Sequence, residues 1–326
     1  MKSSEWLVGI SVAGLGGVMR ALVLALLLLV AVPTAAGAAT VRVAPYVEPP
    51  LPDDGYGSCG HYMQCPADMV VFTAAPGEVN QVTITSTSEP VVHRNRIVVR
   101  EDFVPVQAGP GCERLDDRTA ACVAGAIGPV YLGDGADWLD SSHGEVHGGE
   151  GADVLSAHFG GSMKGDDGDD VLIGTRGEGG RGEDLLAVSI GLGEAGNDIL
   201  RCFPPSGYLS CQLDGGLGDD VLTGGTAMDR LFGRRGNDAI HGGADSDSLF
   251  GGRGDDRLIG GAGIRDYLAG SSGADMLVSR EDRSAGEARV LDRVDCGTGR
   301  RDRAVVDRAD DVKRCERVTP TRTPRR

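Results

Sequence analysis

The sequence is poor in the residues that build large hydrophobic cores and in the motifs that mark common enzymes. Aromatic residues make up 4% of the 326-residue chain, so many thin stacked layers fit better than one large globular core. There is no H-E-x-x-H metalloprotease motif, no G-x-S-x-G nucleophile elbow and no P-loop. Since no stretch is left over for a catalytic domain, the sequence predicts a protein that is not an enzyme.

Long hydrophobic runs are also scarce. The longest is residues 21–32, which is too short to span a bilayer and lies between an arginine and a proline. Since Ala-Gly-Ala follows it, this run predicts a signal peptide over residues 1–38 that is cleaved after Ala38. Met19, directly before the arginine, is a better translation start than Met1. The prediction is a secreted, extracellular protein with no membrane attachment after cleavage. An uncleaved anchor over residues 6–32 stays open as the alternative.

Basic residues are outnumbered, with 32 Lys and Arg against 48 Asp and Glu, for a net charge of −16. Residues 132–278 hold 26 acidic and 10 basic residues, so their excess equals the net charge of the whole chain. This acidity argues against nucleic acid or an anionic membrane as a partner and favours cations. Acidity that serves solubility alone remains the other interpretation.

The chain does contain a nine-residue unit, Gly-Gly-x-Gly-x-Asp-x-apolar-x, whose residues we number as positions 1 to 9. It repeats without interruption over residues 215–278, and more sparsely in units that begin at 132, 148, 165, 179 and 193. Glycine tolerates positive φ, so positions 1–6 predict a turn. Positions 7–9 predict a short strand with one buried residue. A flexible linker would not place Leu or Ile at position 8 of every unit.

This unit resembles the haemolysin-type (RTX) calcium-binding nonapeptide repeat. The resemblance implies an all-β fold, a parallel β-roll (β-solenoid) with a small N-terminal β cap domain and a C-terminal capping tail. The predicted roll covers residues 129–278, the cap domain 39–128 and the tail 279–326. Strand-like runs at 70–73, 79–85 and 96–100 belong to the cap domain.

Position 6 predicts the metal site. Stacked turns lie about 4.8 Å apart, and carboxylates at that spacing repel by about 3–4 kcal/mol per pair at an effective dielectric near 20. A cation between turns removes this repulsion, and an all-oxygen set of carboxylates and turn carbonyls suits several Ca2+ ions better than Mg2+, zinc or copper. The predicted carboxylate ligands are Asp137, Asp153, Asp170, Asp184, Asp198, Asp220, Asp229, Asp238, Asp247, Asp256, Asp266 and Asp275. The predicted glycine ligands, all at position 4, are Gly135, Gly151, Gly168, Gly182, Gly196, Gly218, Gly236 and Gly254.

The spacing of these units predicts how they are distributed along the coil. The first five aspartates are 16, 17, 14 and 14 residues apart, which indicates one motif loop in each turn of the coil. From Gly215 the units abut, so both sides of the coil should carry motif loops. Units with Asp166, Ala227 or Asp245 in place of a glycine, or with Arg265 inserted, are expected to bind calcium weakly or not at all.

The cysteines, eight in a chain predicted to be exported, favour disulfides. We predict the local pairs Cys59–Cys65, Cys112–Cys122, Cys202–Cys211 and Cys296–Cys315. A zinc site is the competing interpretation, but the sequence has no C-x-x-C pair.

The function predicted from these features is a secreted calcium-ion-binding repeat protein whose roll folds on binding Ca2+. Two alternatives stay open. One is a calcium-dependent extracellular hydrolase with an unrecognised site in residues 39–128. The other is a cell-surface adhesion or matrix protein with a partner in the cell envelope or outside the cell.

Overall fold

A computed structural model describes residues 39–45, 68–89, 94–124, 126–141, 144–203, 210–263, 265–279, 291–307 and 310–320. Over these residues the protein is all-β, as the sequence predicts. The strands are β1 (Ala39–Pro45), β2 (Asp68–Thr73), β3 (Gln81–Glu89), β4 (Arg94–Glu101), β5 (Val106–Ala108), β6 (Cys112–Arg114), β7 (Thr119–Ala124), β8 (Ala126–Asp134), β9 (Trp138–Ser141), β10 (Glu145–Glu150), β11 (Val154–Asp167), β12 (Val171–Arg181), β13 (Leu185–Val188), β14 (Ile190–Ala195), β15 (Ile199–Cys202), β16 (Gln212–Leu217), β17 (Val221–Thr223), β18 (Arg230–Arg235), β19 (Ala239–Ala244), β20 (Ser248–Arg253), β21 (Arg257–Ala262), β22 (Tyr267–Ser272), β23 (Met276–Val278), β24 (Arg293–Asp295), β25 (Arg303–Val306), β26 (Asp311–Lys313) and β27 (Arg317–Pro320).

The chain winds into a parallel β-solenoid. From β14 onward each strand pairs in parallel with the strand two places further along, so one ladder contains the even strands to β26 and another the odd strands to β27. In register, Leu231 of β18 lies opposite Leu249 of β20, and Leu222 of β17 lies opposite Ile240 of β19. Each coil of this part therefore uses two nonapeptide units.

The core consists of the position-8 side chains. Leu222, Leu231, Leu249 and Leu258 are fully buried, and their neighbours in the same strands alternate toward solvent. The strands are longer than predicted, because in strands such as β18 the alternation runs on into positions 1–3 of the next unit. The turn itself is confined to positions 4–6.

The N-terminal cap joins the coil by the same parallel pairing. Strands β1 and β2, and strands β3 and β4, form antiparallel pairs, and β7 adds to β4. Strand β2 then pairs in parallel with β8, and β3 with β9. The strand-like runs at 70–73, 79–85 and 96–100 thus correspond to β2, β3 and β4. The first turn of the coil is therefore covered by strands in register with it.

The C-terminal tail caps the roll by continuing its ladders beyond Val278, where the sequence analysis ends the pattern. Strands β24 and β26 extend one ladder, and β25 and β27 extend the other. Ala304 and Val306 of β25 are buried in line with the leucine core.

Three predicted disulfides are present, Cys112–Cys122, Cys202–Cys211 and Cys296–Cys315. The predicted Cys59–Cys65 pair and the predicted signal peptide lie outside the described residues. A search of the described residues for a helix of sufficient length and hydrophobicity to cross a membrane finds none.

Candidate metal centre

The position-6 aspartates form a continuous buried ladder along one side of the coil. Each is at most 2% exposed. From Asp153 onward, the Oδ1 atom of each aspartate in this ladder accepts the backbone N–H of the aspartate one turn earlier. Asp153 donates to Asp170 at 2.8 Å, and Asp220 donates to Asp238 at 2.9 Å. In chain order the ladder contains Asp137, Asp153, Asp170, Asp184, Asp198, Asp220, Asp238, Asp256, Asp275 and Asp302.

A second ladder lies on the other side of the coil and exists in its later turns. Cys211 donates its N–H to Asp229, Asp229 to Asp247, and Asp247 to Asp266, at 2.7–3.0 Å. Asp266 donates in turn to Asp292 at 2.9 Å. The structure therefore places one motif loop in each early turn and two in each later turn, the arrangement that the unit spacing predicts.

The other carboxylate oxygen, Oδ2, has no hydrogen-bond partner at most rungs. It is buried without a partner in Asp137, Asp153, Asp170, Asp184, Asp198, Asp220, Asp238, Asp247, Asp256, Asp275 and Asp302. A buried acceptor left unsatisfied costs about 1–3 kcal/mol. So regular a set of orphaned oxygens indicates that a ligand outside the chain satisfies them.

The position-1 glycines show where these oxygens point. A Cβ added to Gly165 would lie 2.1 Å from Oδ2 of Asp170 and 2.4 Å from the carbonyl oxygen of Gly179 in the next turn. The same pair of atoms surrounds Gly148, where Oδ2 of Asp153 and the Gly165 carbonyl lie 2.2 and 2.7 Å away. Each cradle exists because glycine leaves this space empty.

Two kinds of acceptor thus converge on cradles such as those at Gly148 and Gly165, where Oδ2 of Asp153 and of Asp170 has no hydrogen-bond donor among the described residues. Carboxylate and backbone carbonyl oxygens form the ligand set that Ca2+ prefers. The residues present therefore fit a hard cation bound between successive turns. The sequence predicts turn carbonyls among the ligands but names the glycines at position 4. The pattern of side chains does not show that the carbonyls at position 1 face the carboxylates.

Burial makes the ladder costly to ionise. Desolvation and, to a smaller extent, neighbouring carboxylates raise the pKa of Asp153 and Asp170 to about 7, although the backbone N–H bond that each accepts opposes the shift. For Asp247 and Asp256 the same causes raise the pKa to about 8. A bound cation would favour the ionised form and reverse this shift.

The predicted position-4 glycines serve the close stacking of the turns. Gly151 has φ of +132°, and a Cβ there would fall 1.6 Å from the carbonyl oxygen of Gly135 one turn earlier. Gly254 likewise has φ of +137°, and a Cβ added there would lie 1.8 Å from the Gly236 carbonyl oxygen. A side chain at this position would force the turns apart, so these glycines set the distance between successive carboxylates.

The Asp229 loop differs from the others, as its irregular sequence suggested. With Ala227 at position 4, the loop places the Gly225 N–H 2.6 Å from Oδ2 of Asp229. Both oxygens of Asp229 are therefore satisfied by the chain, which leaves less reason for a cation here. At the Arg265 insertion the ladder is kept, since Oδ1 of Asp266 still accepts the Asp247 N–H.

The tail adds ladder residues that the sequence analysis did not include. Asp302 accepts the Asp275 N–H at 2.9 Å and is fully buried. It follows Cys296-Gly297-Thr298-Gly299, a unit with cysteine at position 1 and an additional residue before the aspartate. The cysteine and the additional residue make this unit depart from the nonapeptide pattern, so the pattern does not identify it as a repeat. Gly299 still stacks on the Gly273 carbonyl.

A grouping of Cys202, Cys211 and Asp229 also brings potential metal-ligand atoms together. The two sulfur atoms form a disulfide. Neither sulfur is a thiolate, so this group lacks the ligand chemistry of a zinc site.

Comparison with protein families finds the RTX calcium-binding nonapeptide repeat in four copies, at residues 214–249, 232–265 and 241–277. Residues 214–277 are therefore RTX-type repeats. These repeats match where the units abut, and the structure shows the same stacked geometry in the sparser units upstream. Comparisons with curated proteins and with solved structures give no match.

Proposed function

We propose that this protein is a secreted, non-enzymatic calcium-binding protein whose RTX coil folds when Ca2+ occupies the cradles between turns. The ligands of one such site would be Oδ2 of Asp170 and the Gly179 carbonyl, and the same pair recurs along the ladder. The ion would supply the positive charge that stacked carboxylates lack. The observation that carries this proposal is the row of buried Oδ2 atoms without hydrogen-bond partners.

Coupling to folding follows from the balance of energies. Each rung buries one leucine, which stabilises the coil by about 1.5–3 kcal/mol. Each neighbouring pair of ionised carboxylates costs about 3–4 kcal/mol at an effective dielectric near 20. Without a cation the repulsion equals or exceeds the hydrophobic gain, so binding of calcium to the folded coil becomes the source of its stability.

Free calcium outside cells would then act as the folding signal. Extracellular calcium modules bind with dissociation constants of about 0.1–1 mM, so the coil would stay open at the low calcium of a cytoplasm. Circular dichroism during a titration with CaCl2, after treatment with EDTA, tests this. Growth of β signal with calcium and not with equal MgCl2 supports the proposal, and an EDTA-treated protein with unchanged β signal contradicts it.

A further inference from the structure

The ladder of carboxylates starts from a residue of different chemistry. Asn80, in the turn before β3, is fully buried and occupies the ladder position one turn before Asp137. Its N–H donates to Oδ1 of Asp137 at 2.6 Å, and its carbonyl accepts the Trp138 N–H at 2.8 Å. Asp137 makes the same two bonds with Asp153 and Val154 in the next turn.

The Asn80 side chain places a donor where other rungs place an acceptor. Its Nδ2 lies 3.3 Å from the Leu132 carbonyl oxygen, 3.3 Å from Oδ1 of Asp137 and 3.5 Å from the Glu78 carbonyl oxygen. Leu132 holds position 1 of its unit. Its carbonyl is thus the counterpart of the Gly165 carbonyl, which shares a cradle with Oδ2 of Asp153. With acceptors on three sides, the NH2 group and not the amide oxygen belongs there.

We propose that the Asn80 amide takes the place of a calcium ion at the first rung, so that the junction between cap and coil is held together without metal. The amide gives hydrogen bonds to the Leu132 carbonyl, whose counterparts in later rungs a cation would bind, and to Oδ1 of Asp137, which also accepts the Asn80 N–H. This first rung then serves as a preformed template in register with the coil, on which the calcium-dependent turns add. The inference rests on the proposed function for the role of the cation in the later rungs.

The second ladder closes its ends in the same manner. Oδ2 of Asp229, at its start, accepts the Gly225 N–H at 2.6 Å. At the far end Asp292 donates its N–H to Oδ1 of Asp310 at 3.3 Å. Oδ2 of Asp310 accepts the Ser279 hydroxyl at 2.9 Å and the Asp307 N–H at 2.7 Å. Donors from the chain thus stand at the start of both ladders and at the far end of the second, whereas Oδ2 of rungs such as Asp153 and Asp170 has no hydrogen-bond partner among the described residues.

A reciprocal pair of substitutions tests the inference. Asn80→Asp turns the first rung into the chemistry of an interior rung, and Asp170→Asn gives an interior rung the chemistry of the first. Native mass spectrometry at saturating CaCl2 should count one more bound calcium in Asn80→Asp than in the unchanged protein. Asp170→Asn should bind one fewer and keep its solenoid fold.

The second readout uses Trp138, which lies at the junction beside Asn80. In a Trp6→Phe background Trp138 is the one tryptophan of the chain. Trp138 is half-buried, so in EDTA its emission and its partial protection from acrylamide should equal those with calcium, and Asn80→Asp should lose that protection until calcium is added.

The outcomes separate the two proposals. No calcium uptake by the unchanged protein would overturn the proposed function, while the Trp138 readout in EDTA would still test the Asn80 amide. Normal calcium uptake, with the same calcium count and the same Trp138 shielding in Asn80→Asp, would overturn the inference. If Asn80→Asp does not fold even with calcium, an unchanged calcium count in Asp170→Asn overturns it, and a count reduced by one supports it.

Discussion

The backbone N–H of Asp153 donates to Oδ1 of Asp170 one turn later, at 2.8 Å, while Oδ2 of Asp170 has no partner in the chain. One carboxylate therefore has two separate roles. Its first oxygen fixes the register of adjacent turns, and its second is the oxygen that we propose binds a cation. The register bond needs no metal, but burying the second oxygen is unfavourable until a metal arrives.

Removal of one interior carboxylate should affect calcium binding more than removal of its exposed neighbour. Asp220→Ala deletes a buried carboxylate and leaves the Asp198 N–H, bonded to Asp220 at 2.9 Å, without its acceptor. We expect about 1–3 kcal/mol lower stability with calcium and one fewer bound ion. Urea unfolding at fixed CaCl2 and calorimetric titration measure both effects.

Asp219→Ala is the matched control for that experiment. Asp219 is exposed at position 5, and its Oδ1 accepts the N–H of Asn237 at 2.6 Å and the Asn237 amide at 3.1 Å. The control should keep the ion count of the unchanged protein. Equal losses in the two variants would show that Oδ2 of Asp220 is not a ligand.

The leucine and aspartate columns could be predicted from the sequence because a period of nine fixes both. Position 8 alternates inward, as at Leu222 and Leu231, and position 6 closes each turn. The place of Asn80 could not be predicted. Its segment lacks the glycine pattern, and its alignment with Asp137 depends on the pairing of β3 with β9.

The closing turns were hidden for a different reason. Around Asp302 the unit has cysteine at position 1 and one additional residue, and around Asp292 it lacks the glycines before the aspartate. Backbone pairing keeps both residues in the ladders through bonds of 2.9 Å to Asp275 and Asp266. A change in the sequence of a turn can leave the register of the flanking strands intact. The nonapeptide motif does not show which such changes the coil accepts.

The Cys202–Cys211 disulfide should stabilise the start of the second ladder. Cys211 is buried and donates its N–H to Asp229 at 2.7 Å, and the bridge closes a short excursion between β15 and β16. Replacing both cysteines with serine should lower the free energy of unfolding by about 2–3 kcal/mol. The control replaces Cys112 and Cys122 in the cap with serine. Thermal melts of both double variants with calcium would show whether calcium affinity changes only when the Cys202–Cys211 bridge is removed.

Acidity should partly replace calcium. Burial raises the pKa of Asp238 to about 6, of Asp153 to about 7 and of Asp256 to about 8. A raised pKa in the folded state gives stability that is complete below the ordinary pKa near 4 and is lost as the pH rises through 6–8. The calcium-free coil should therefore be most stable in mild acid and least stable above pH 8.

Calcium binding must release the protons that these carboxylates hold, so calcium affinity should rise with pH across 6–8. Thermal melts in EDTA at pH 5 and pH 8.5, each repeated in CaCl2, measure both trends. We expect calcium to raise Tm much more at pH 8.5 than at pH 5. A calcium effect of equal size at the two pH values would mean that the ladder carboxylates are not the ligands.

The position-4 glycines should tolerate no side chain. At Gly254, φ is +137° and an added Cβ would lie 1.8 Å from the Gly236 carbonyl oxygen, so Gly254→Ala must separate two turns of the roll. We expect a loss of at least about 3 kcal/mol, since both backbone strain and overpacking contribute.

Gly77→Ala is the control, because Gly77 has φ of +77° but no atom within 4 Å of the new Cβ. It should cost about 1 kcal/mol from strain alone, and calcium-dependent unfolding of the two variants would separate stacking from strain. If both variants unfold alike, the close approach of the turns does not limit the residue at position 4, and the distance between carboxylates is set elsewhere in the coil.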